Sequence, residues 1–266
     1  MSPQSKIMGV LNVTPDSFSD GGRFLESPAA IARARRLAEE GADIIDIGGE
    51  STRPGAEPVS VEEELRRVLP VIEALRGNVD RLLSIDTSKP EVMRAAAAAG
   101  AGFINDVSGL RAPGAADAAA ELGLPVCLMH MKGEPRNMQL NPHYEDVVTE
   151  VKDFLLARAA AAESAGVRKE NIYLDPGFGF GKTLEHNLVL LRHLESFVAT
   201  GYPVLVGMSR KSMVGALLDT PVDDRVFGSV TLAAIAAMKG AAVIRVHDVK
   251  PTRDALKVCG AVMAAA

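Results

Sequence analysis

Tryptophan is absent from this 266-residue sequence, and aromatic residues make up only 4% of it. Single-stranded nucleic-acid sites depend on aromatic platforms for base stacking, so that class of function is disfavoured. A net charge of −5 also argues against non-specific nucleic-acid binding, which needs a basic surface. There are two cysteines, Cys127 and Cys259, too far apart for any metal-ligand spacing. Cys127 lies inside an apolar run and reads as a buried structural thiol. Neither an H-E-x-x-H motif nor a paired-histidine pattern occurs, which argues against a permanent zinc site. No run reaches the roughly 18 apolar residues of a membrane span, and the N-terminal MSPQSK has no apolar h-region. A cytoplasmic, soluble protein is expected.

What the sequence does contain is a repeated unit. With 47% hydrophobic residues it can fill a large core, and its length is close to the roughly 250 residues of one complete (β/α)8 barrel. Eight short apolar runs end, or nearly end, on polar side chains. They are KIMGVLN at Asn12, DIIDIGG at Asp46, LLSID at Asp86, FIND at Asn105 and Asp106, VCLMH at His130, IYLDPG at Asp175, VLVGMSRK at Ser209 to Lys211, and VIRVH at Arg245 and His247. A strand that is apolar along its length and polar at its C-terminal end suits a parallel sheet whose tips line a site. In a (β/α)8 TIM barrel all the tips meet on one face.

Helical periodicity fills the intervals, over 28–40, 60–76, 90–99, 114–122, 144–165, 184–196, 223–239 and 251–264. Ser27 followed by Pro28 reads as a cap with proline at the first helical position. Ser60 with Glu63 reads as a capping box. Strict strand–helix alternation implies parallel strands and right-handed crossovers, with an open doubly wound sheet as the alternative. No linker interrupts the pattern, so one domain over 1–266 is expected. Two strand-to-helix loops, from Val13 to Ser27 and from Gly48 to Val59, exceed the usual 2–6 residues. Both carry polar residues beside strand tips and read as lids; tolerated insertion is the plainer alternative.

The tip residues sort by charge into two sets. Asp46, Asp86, Asn105 and Asp175 can accept from a heterocycle with several N–H donors, whereas Arg53, Lys211, Arg245 and His247 suit phosphate or carboxylate. A purely structural charge network would serve for one or two pairs, but buried pairs gain too little to explain a whole ring of them. His130 reads as a hydrogen-bonded structural residue, and His143, His186 and His193 as surface residues. The segment DPGFGFGKT (Asp175–Thr183) imitates a P-loop, but Pro176 stands where the first glycine of that motif belongs. It reads instead as a glycine-rich turn that lets backbone and Phe180 approach a ligand.

Eight segments resemble the dihydropteroate synthase family of bacterial folate synthesis. They are NVTPDSFSDGG (Asn12–Gly22), IDIGGESTRPG (Ile45–Gly55), SIDTSKP (Ser84–Pro90), IND (Ile104–Asp106), LMHMKGEP (Leu128–Pro135), DPGFGFGK (Asp175–Lys182), GMSRKS (Gly207–Ser212) and IRVHDV (Ile244–Val249). The resemblance implies a transferase that condenses 6-hydroxymethyl-7,8-dihydropterin diphosphate with p-aminobenzoate to give 7,8-dihydropteroate and diphosphate. It implies pterin binding by Asp86, Asn105, Asp175, Lys211, Arg245, Met129 and, as a nearby polar group, Asp46. Diphosphate would meet Asn12, Thr52, Arg53, Arg245 and His247, with Mg²⁺ bridging diphosphate and Asn12. The p-aminobenzoate pocket would comprise Phe18, Pro54, Phe180, Lys211 and Ser212. Asp86, Asp175, Lys211, Arg53 and His247 would carry the chemistry, and a homodimer would form through helices on the C-terminal side. A pterin-dependent methyltransferase domain would be expected to lack the SFSDGG, STRPG and SRKS segments, and a non-catalytic pterin-binding paralogue should show eroded lid or diphosphate residues.

Overall fold

In the computed structural model, residues 5–14, 26–53 and 55–265 are described, apart from the side chains of residues 26 and 27. The strands are β1 (Lys6–Asn12), β2 (Ile44–Gly48), β3 (Leu82–Asp86), β4 (Phe103–Asp106), β5 (Val126–Met129), β6 (Ile172–Asp175), β7 (Leu205–Val206) and β8 (Val243–Val246). The helices are α1 (Glu26–Glu39), α2 (Val61–Leu75), α3 (Pro90–Ala99), α4 (Ala115–Leu122), α5 (Val147–Ser164), α6 (Leu184–Arg192), α7 (Glu195–Val198), α8 (Ser212–Leu218), α9 (Val226–Met238) and α10 (Val249–Ala264). All strand pairs are parallel, in the order β6-β5-β4-β3-β2-β1-β8-β7. A parallel bridge between Leu174 and Val204 joins the two ends of that order, so the sheet closes into a (β/α)8 barrel. The open-sheet alternative is thereby excluded.

Side-chain alternation on a strand decides what each residue faces. Ile7, Leu11, Ile45, Ile47, Leu83, Ile85, Ile104, Leu128, Leu174 and Val206 point outward and pack with the buried faces of the helices in one core. A separate cluster of Met8, Ile44, Phe103, Cys127, Leu205 and Val243 fills the lower half of the barrel interior. Each large side chain of this kind contributes roughly 1.5–3 kcal/mol by leaving water. Cys127 is fully buried in that floor, which accounts for its place in an apolar run. Two residues further along the same parity come Asp46, Asn105, Met129, Asp175, Gly207 and Arg245, so the floor gives way to a polar upper layer.

Local signals set most helix ends, with some departures from expectation. The Ser60 hydroxyl accepts from Glu63 N–H at 3.2 Å, but the Glu63 carboxylate turns to Arg66 and Arg67, so only half of the expected box forms. The reciprocal box occurs at Thr183 and His186, each side chain accepting the other's backbone N–H at 3.2 Å. His186 is therefore a cap and not a free surface residue. Helix α1 already begins at Glu26, so Ser27 lies within it and cannot be its N-cap. The expected 184–196 helix divides into α6 and α7 at His193 and Leu194. Helix α9 starts at Val226 after a 3-10 turn over Val222–Asp224, and α10 starts at Val249, before the expected 251. Among the described residues, no helix is long and apolar enough to cross a membrane.

Candidate active site

Asp46 organises the upper layer of the barrel. It is fully buried on β2; Oδ1 accepts from Ser84 Oγ at 2.6 Å, and Oδ2 accepts from Asn105 Nδ2 at 3.0 Å and Arg245 Nε at 2.6 Å. The other edge of the Arg245 guanidinium donates from Nη2 to Asp86 Oδ2 at 2.7 Å. Arg245 thus bridges two carboxylates across β2, β3 and β8, a fork geometry that lysine could not reproduce. Burial, with the neighbouring Asp46, Glu64 and Asp106 charges, pushes the Asp86 carboxyl up to about 7 against the pull of Arg245. The two carboxylates in turn hold Arg245 above its ordinary value despite burial.

The glycine-rich turn after β6 builds the opposite wall. Asp175 Oδ1 accepts from Gly177 N–H at 2.7 Å, and burial raises the carboxyl's pKa. Among the described residues, no hydrogen bond is made to its Oδ2. Lys211, at the start of α8, donates to the Phe178 carbonyl at 2.6 Å and lies 4.4 Å from the Phe180 ring centroid. Burial lowers Lys211 to about 8, with Asp175 opposing that shift. Phe180 packs with Met129, Met131 and Met138, so an apolar patch adjoins the lysine. The inward-facing Gly207 makes room here: a Cβ would lie 3.7 Å from Arg245 Cβ and 4.0 Å from Lys211 Nζ.

The sequence suggests that the glycines of the turn let backbone approach a ligand; what they approach is the protein itself. A Cβ on Gly177 would stand 1.9 Å from the His130 carbonyl oxygen, and one on Gly181 would stand 2.3 Å from that of Lys132. The turn is pressed against the loop after β5. His130 is buried, with its ring edge-on to Phe154 at 4.9 Å, and burial with the nearby Lys182 lowers it to about 2. It is a neutral structural residue, as its sequence context suggests.

The anion end is more dispersed than the sequence implies. A cavity of about 300 Å³ is lined by Val10, Leu11, Asn12, Arg33, Arg210, His247 and Asp248. Asn12 stands beside Asp86, since a Cβ on Gly48 would lie 3.8 Å from Asn12 Oδ1 and 3.6 Å from Asp86 Oδ2. The Ser209 hydroxyl accepts from the His247 backbone N–H at 3.1 Å and lies 3.2 Å from its Nδ1, and burial with the adjacent Arg245 lowers the imidazole to about 4. Burial thus favours the neutral imidazole of His247 in the ligand-free protein. Thr52 lines a different cavity, of about 220 Å³, with Glu50, Ser88, Ser108 and Glu134 among others. Arg53 is exposed, and its charge is felt at His247. Ser212 is the exposed first residue of α8. Phe18 and Pro54 lie outside the described residues.

Asp106 does not join the site, although it ends β4: its oxygens accept from the Ser108 and Leu110 N–H groups, both at 2.7 Å. It shapes the loop instead. Several residues of the site add to those expected from the sequence. Ser84 shares the inward parity of Asp86 and was legible from the alternation alone. Arg210, held bidentately by Asp248 at 2.6 and 2.9 Å, lies within the SRKS segment. Arg33 comes from α1 and donates to the His247 carbonyl at 2.9 Å, a contact across 214 residues that no local pattern signals.

A closed barrel with buried carboxylates, an asparagine and a forked arginine at one mouth defines a heterocycle-binding enzyme. The family model described as pterin binding enzyme matches residues 8–247. The dihydropteroate synthase of Haemophilus influenzae is 55% identical over 253 residues, spanning 95% of this chain and 92% of the relative. The structure of Xanthomonas albilineans dihydropteroate synthase with 4-aminobenzoic acid superposes with a TM-score of 0.95 at 56% identity, covering 99% of this chain and 95% of that one. Another from the same organism, in complex with 7,8-dihydropteroate, gives a TM-score of 0.91 at 52% identity over 100% and 96% of the two chains. The chain belongs to the dihydropteroate synthase family of pterin-binding enzymes.

Proposed function

We propose that this protein joins a 6-hydroxymethyl-7,8-dihydropterin diphosphate to p-aminobenzoate, releasing diphosphate and 7,8-dihydropteroate. The observation that carries the reading is the convergence of Asp86, Asn105, Asp175, Lys211 and Arg245 on one barrel mouth beside the cavity of Asn12 and His247. Family membership supports it, since one relative's structure holds 7,8-dihydropteroate and another holds 4-aminobenzoic acid.

The free Oδ2 of Asp175 suits the amino and ring N–H groups of a pterin, which a carboxylate reads in pairs. Lys211 would donate to a ring acceptor, with Asn105 and Asp86 on other ring edges and Met129 against the ring. Arg245 offers a guanidinium face for stacking on the heterocycle. Asp46 acts through Arg245, Asn105 and Ser84, because its two oxygens are occupied by them. At the other end, Asn12, Thr52, Arg53 and His247 would meet the diphosphate. Phe180, Lys211 and Ser212, with Phe18 and Pro54 of the two long loops, would form the p-aminobenzoate pocket.

Diphosphate departure ahead of amine attack fits this arrangement. The dihydropterin ring can spread positive charge from its exocyclic methylene, and buried carboxylates at Asp86 and Asp175 favour a cationic ring. Among the described residues there is no cluster of three or more His, Cys, Asp or Glu side chains able to cage a metal. The amide oxygen of Asn12 beside an anion-sized cavity nevertheless fits Mg²⁺ held chiefly by water and substrate phosphates. Bound there, Mg²⁺ would neutralise charge on the departing diphosphate.

A homodimer is part of the same proposal. Phe227 is 85% exposed on α9, and Met238, Val258 and Val262 are exposed on α9 and α10. Apolar side chains gathered on neighbouring helices suit an interface. The deciding assay incubates the protein with the pterin diphosphate, Mg²⁺ and p-aminobenzoate and follows dihydropteroate. Bound pterin without product would favour a non-catalytic pterin-binding protein. Diphosphate release without p-aminobenzoate supports the stepwise order, and strict dependence of release on p-aminobenzoate would overturn it.

A further inference from the structure

Lys182 is only 3% exposed, yet the reaction just described gives it no task. Its Nζ lies 2.9 Å from His130 Nδ1, 2.9 Å from the Gly177 carbonyl and 3.0 Å from the Phe180 carbonyl. Three partners equal in number the three hydrogen-bonding positions that the nitrogen has beyond its bond to carbon. An amine would donate to both carbonyls and accept from Nδ1–H; an ammonium would donate to all three. Burial lowers Lys182 well below the ordinary lysine range, with the charges of Lys211 and Lys132 adding to that shift and Asp175 opposing it. The neutral pair with His130 is therefore the form that desolvation favours. Packing alone would be met by methionine, which fills a similar volume without needing partners. A buried lysine here has a directional purpose.

The two carbonyls it holds bracket Phe178 and Phe180, the residues that meet Lys211 from the other side. Lys211 donates to the Phe178 carbonyl at 2.6 Å and rests on the Phe180 ring at 4.4 Å. The turn is thus tied from behind by one lysine and engaged from the site by another. We propose that Lys182, oriented by His130, is a positioning residue that holds the 177–180 turn where it sets the location and protonation of Lys211. The inference deepens the pterin-binding reading and rests on it for its functional consequence. It also gives His130 a role: the imidazole completes the set of partners around Lys182.

The test measures the titration of Lys211 in the ligand-free protein, by ¹³C NMR of lysines labelled at Cε during expression. The facing charges of Asp175, Arg245 and Asp86 are unchanged in every variant used. In Lys182→Met the released turn withdraws the Phe178 carbonyl from the Lys211 ammonium. The Lys211 midpoint then falls by roughly half a pH unit or more, the effect of losing about one hydrogen bond. Lys182→Gln keeps N–H donors for the carbonyls and restores most of the wild-type midpoint. His130→Phe removes only the imidazole partner and moves the midpoint in the same direction by less; it decides the matter should Lys182→Met fail to fold. A folded Lys182→Met protein, or a folded His130→Phe protein where Lys182→Met does not fold, in which Lys211 titrates as in the wild type overturns the inference. Pterin affinity, measured in parallel, falls roughly tenfold in Lys182→Met if Lys211 binds the ring. Wild-type protein that binds no pterin would sink the functional reading, while the ligand-free titration still decides the role of Lys182.

Discussion

Arg245 holds two carboxylates at once because its guanidinium reaches from β8 to Asp46 on β2 through Nε and to Asp86 on β3 through Nη2. Burial nevertheless carries a cost for Asp86, which Arg245 only partly offsets. The folded Asp86 pKa of about 7 stands above the ordinary 3.8, so the folded state holds the proton more tightly than the unfolded chain. The stabilisation this represents is full below pH 3.8 and is lost as pH rises through 7. Asp86→Asn, which cannot ionise, is therefore expected to raise the stability of the ligand-free protein at pH 8 by about 1 kcal/mol and to leave it nearly unchanged at pH 4. Denaturant titrations at the two pH values check this; equal effects at both would refute the assignment. Lys211 is shifted in the opposite sense, to about 8, so its ammonium is lost on mild alkalinisation. Pterin binding should weaken as pH rises through 8 in the wild type. Lys211→Ala should bind roughly ten- to a hundredfold more weakly at pH 7 and lose that pH dependence. Calorimetric titration with a pterin measures both.

Among the elements, the β6–α6 turn is the most constrained, and its glycines can be ranked. Gly177 and Gly123 both have positive φ, at 68° and 62°, so alanine strains either backbone by a similar amount. Only Gly177 faces an obstacle, the His130 carbonyl oxygen at 1.9 Å from where an alanine methyl would stand, whereas nothing lies within 4 Å at Gly123. Gly123→Ala should cost about 1 kcal/mol, and Gly177→Ala at least about 3 kcal/mol, compared by thermal or urea unfolding. Comparable losses at the two sites would show that backbone strain alone governs this turn. Most element boundaries were legible because capping and breaking signals act locally: Ser60 caps α2 by accepting a backbone N–H group, whereas the Asp146 cap sets the start of α5 at Val147, three residues later than expected. The box at Thr183 was hidden because His186 takes the place usually held by Glu or Gln. The full set of contacts on Asp106 was equally hidden, since a residue that ends an apolar run can turn outward to its own loop.

At the scale of the whole molecule, the closed barrel leaves no sheet edge to pair with another copy, so the proposed homodimer would form through helix or loop surfaces. Phe227 is the most exposed large apolar side chain among the described residues. Phe227→Asp should shift a homodimer towards monomer in sedimentation velocity while retaining the barrel's circular dichroism. An unchanged sedimentation coefficient for a dimeric wild type would remove α9 from the interface.

The sequence alone determined that eight parallel units form the chain, which strand tips are polar, and which of those tips carry acidic and which basic side chains. It could do so because period-2 alternation, helix capping and charge are properties of short segments. Only the tertiary structure decided that Asp46 serves Arg245, Asn105 and Ser84 at the centre of the layer. The same is true of His247 being neutral, of Arg33 reaching it from α1, and of Lys182 pairing with His130. These depend on barrel closure, which brings together residues as far apart in sequence as Arg33 and His247, 214 positions, and removes others such as Lys182 from water. Desolvation and long-range pairing are consequences of packing, and no local pattern contains them.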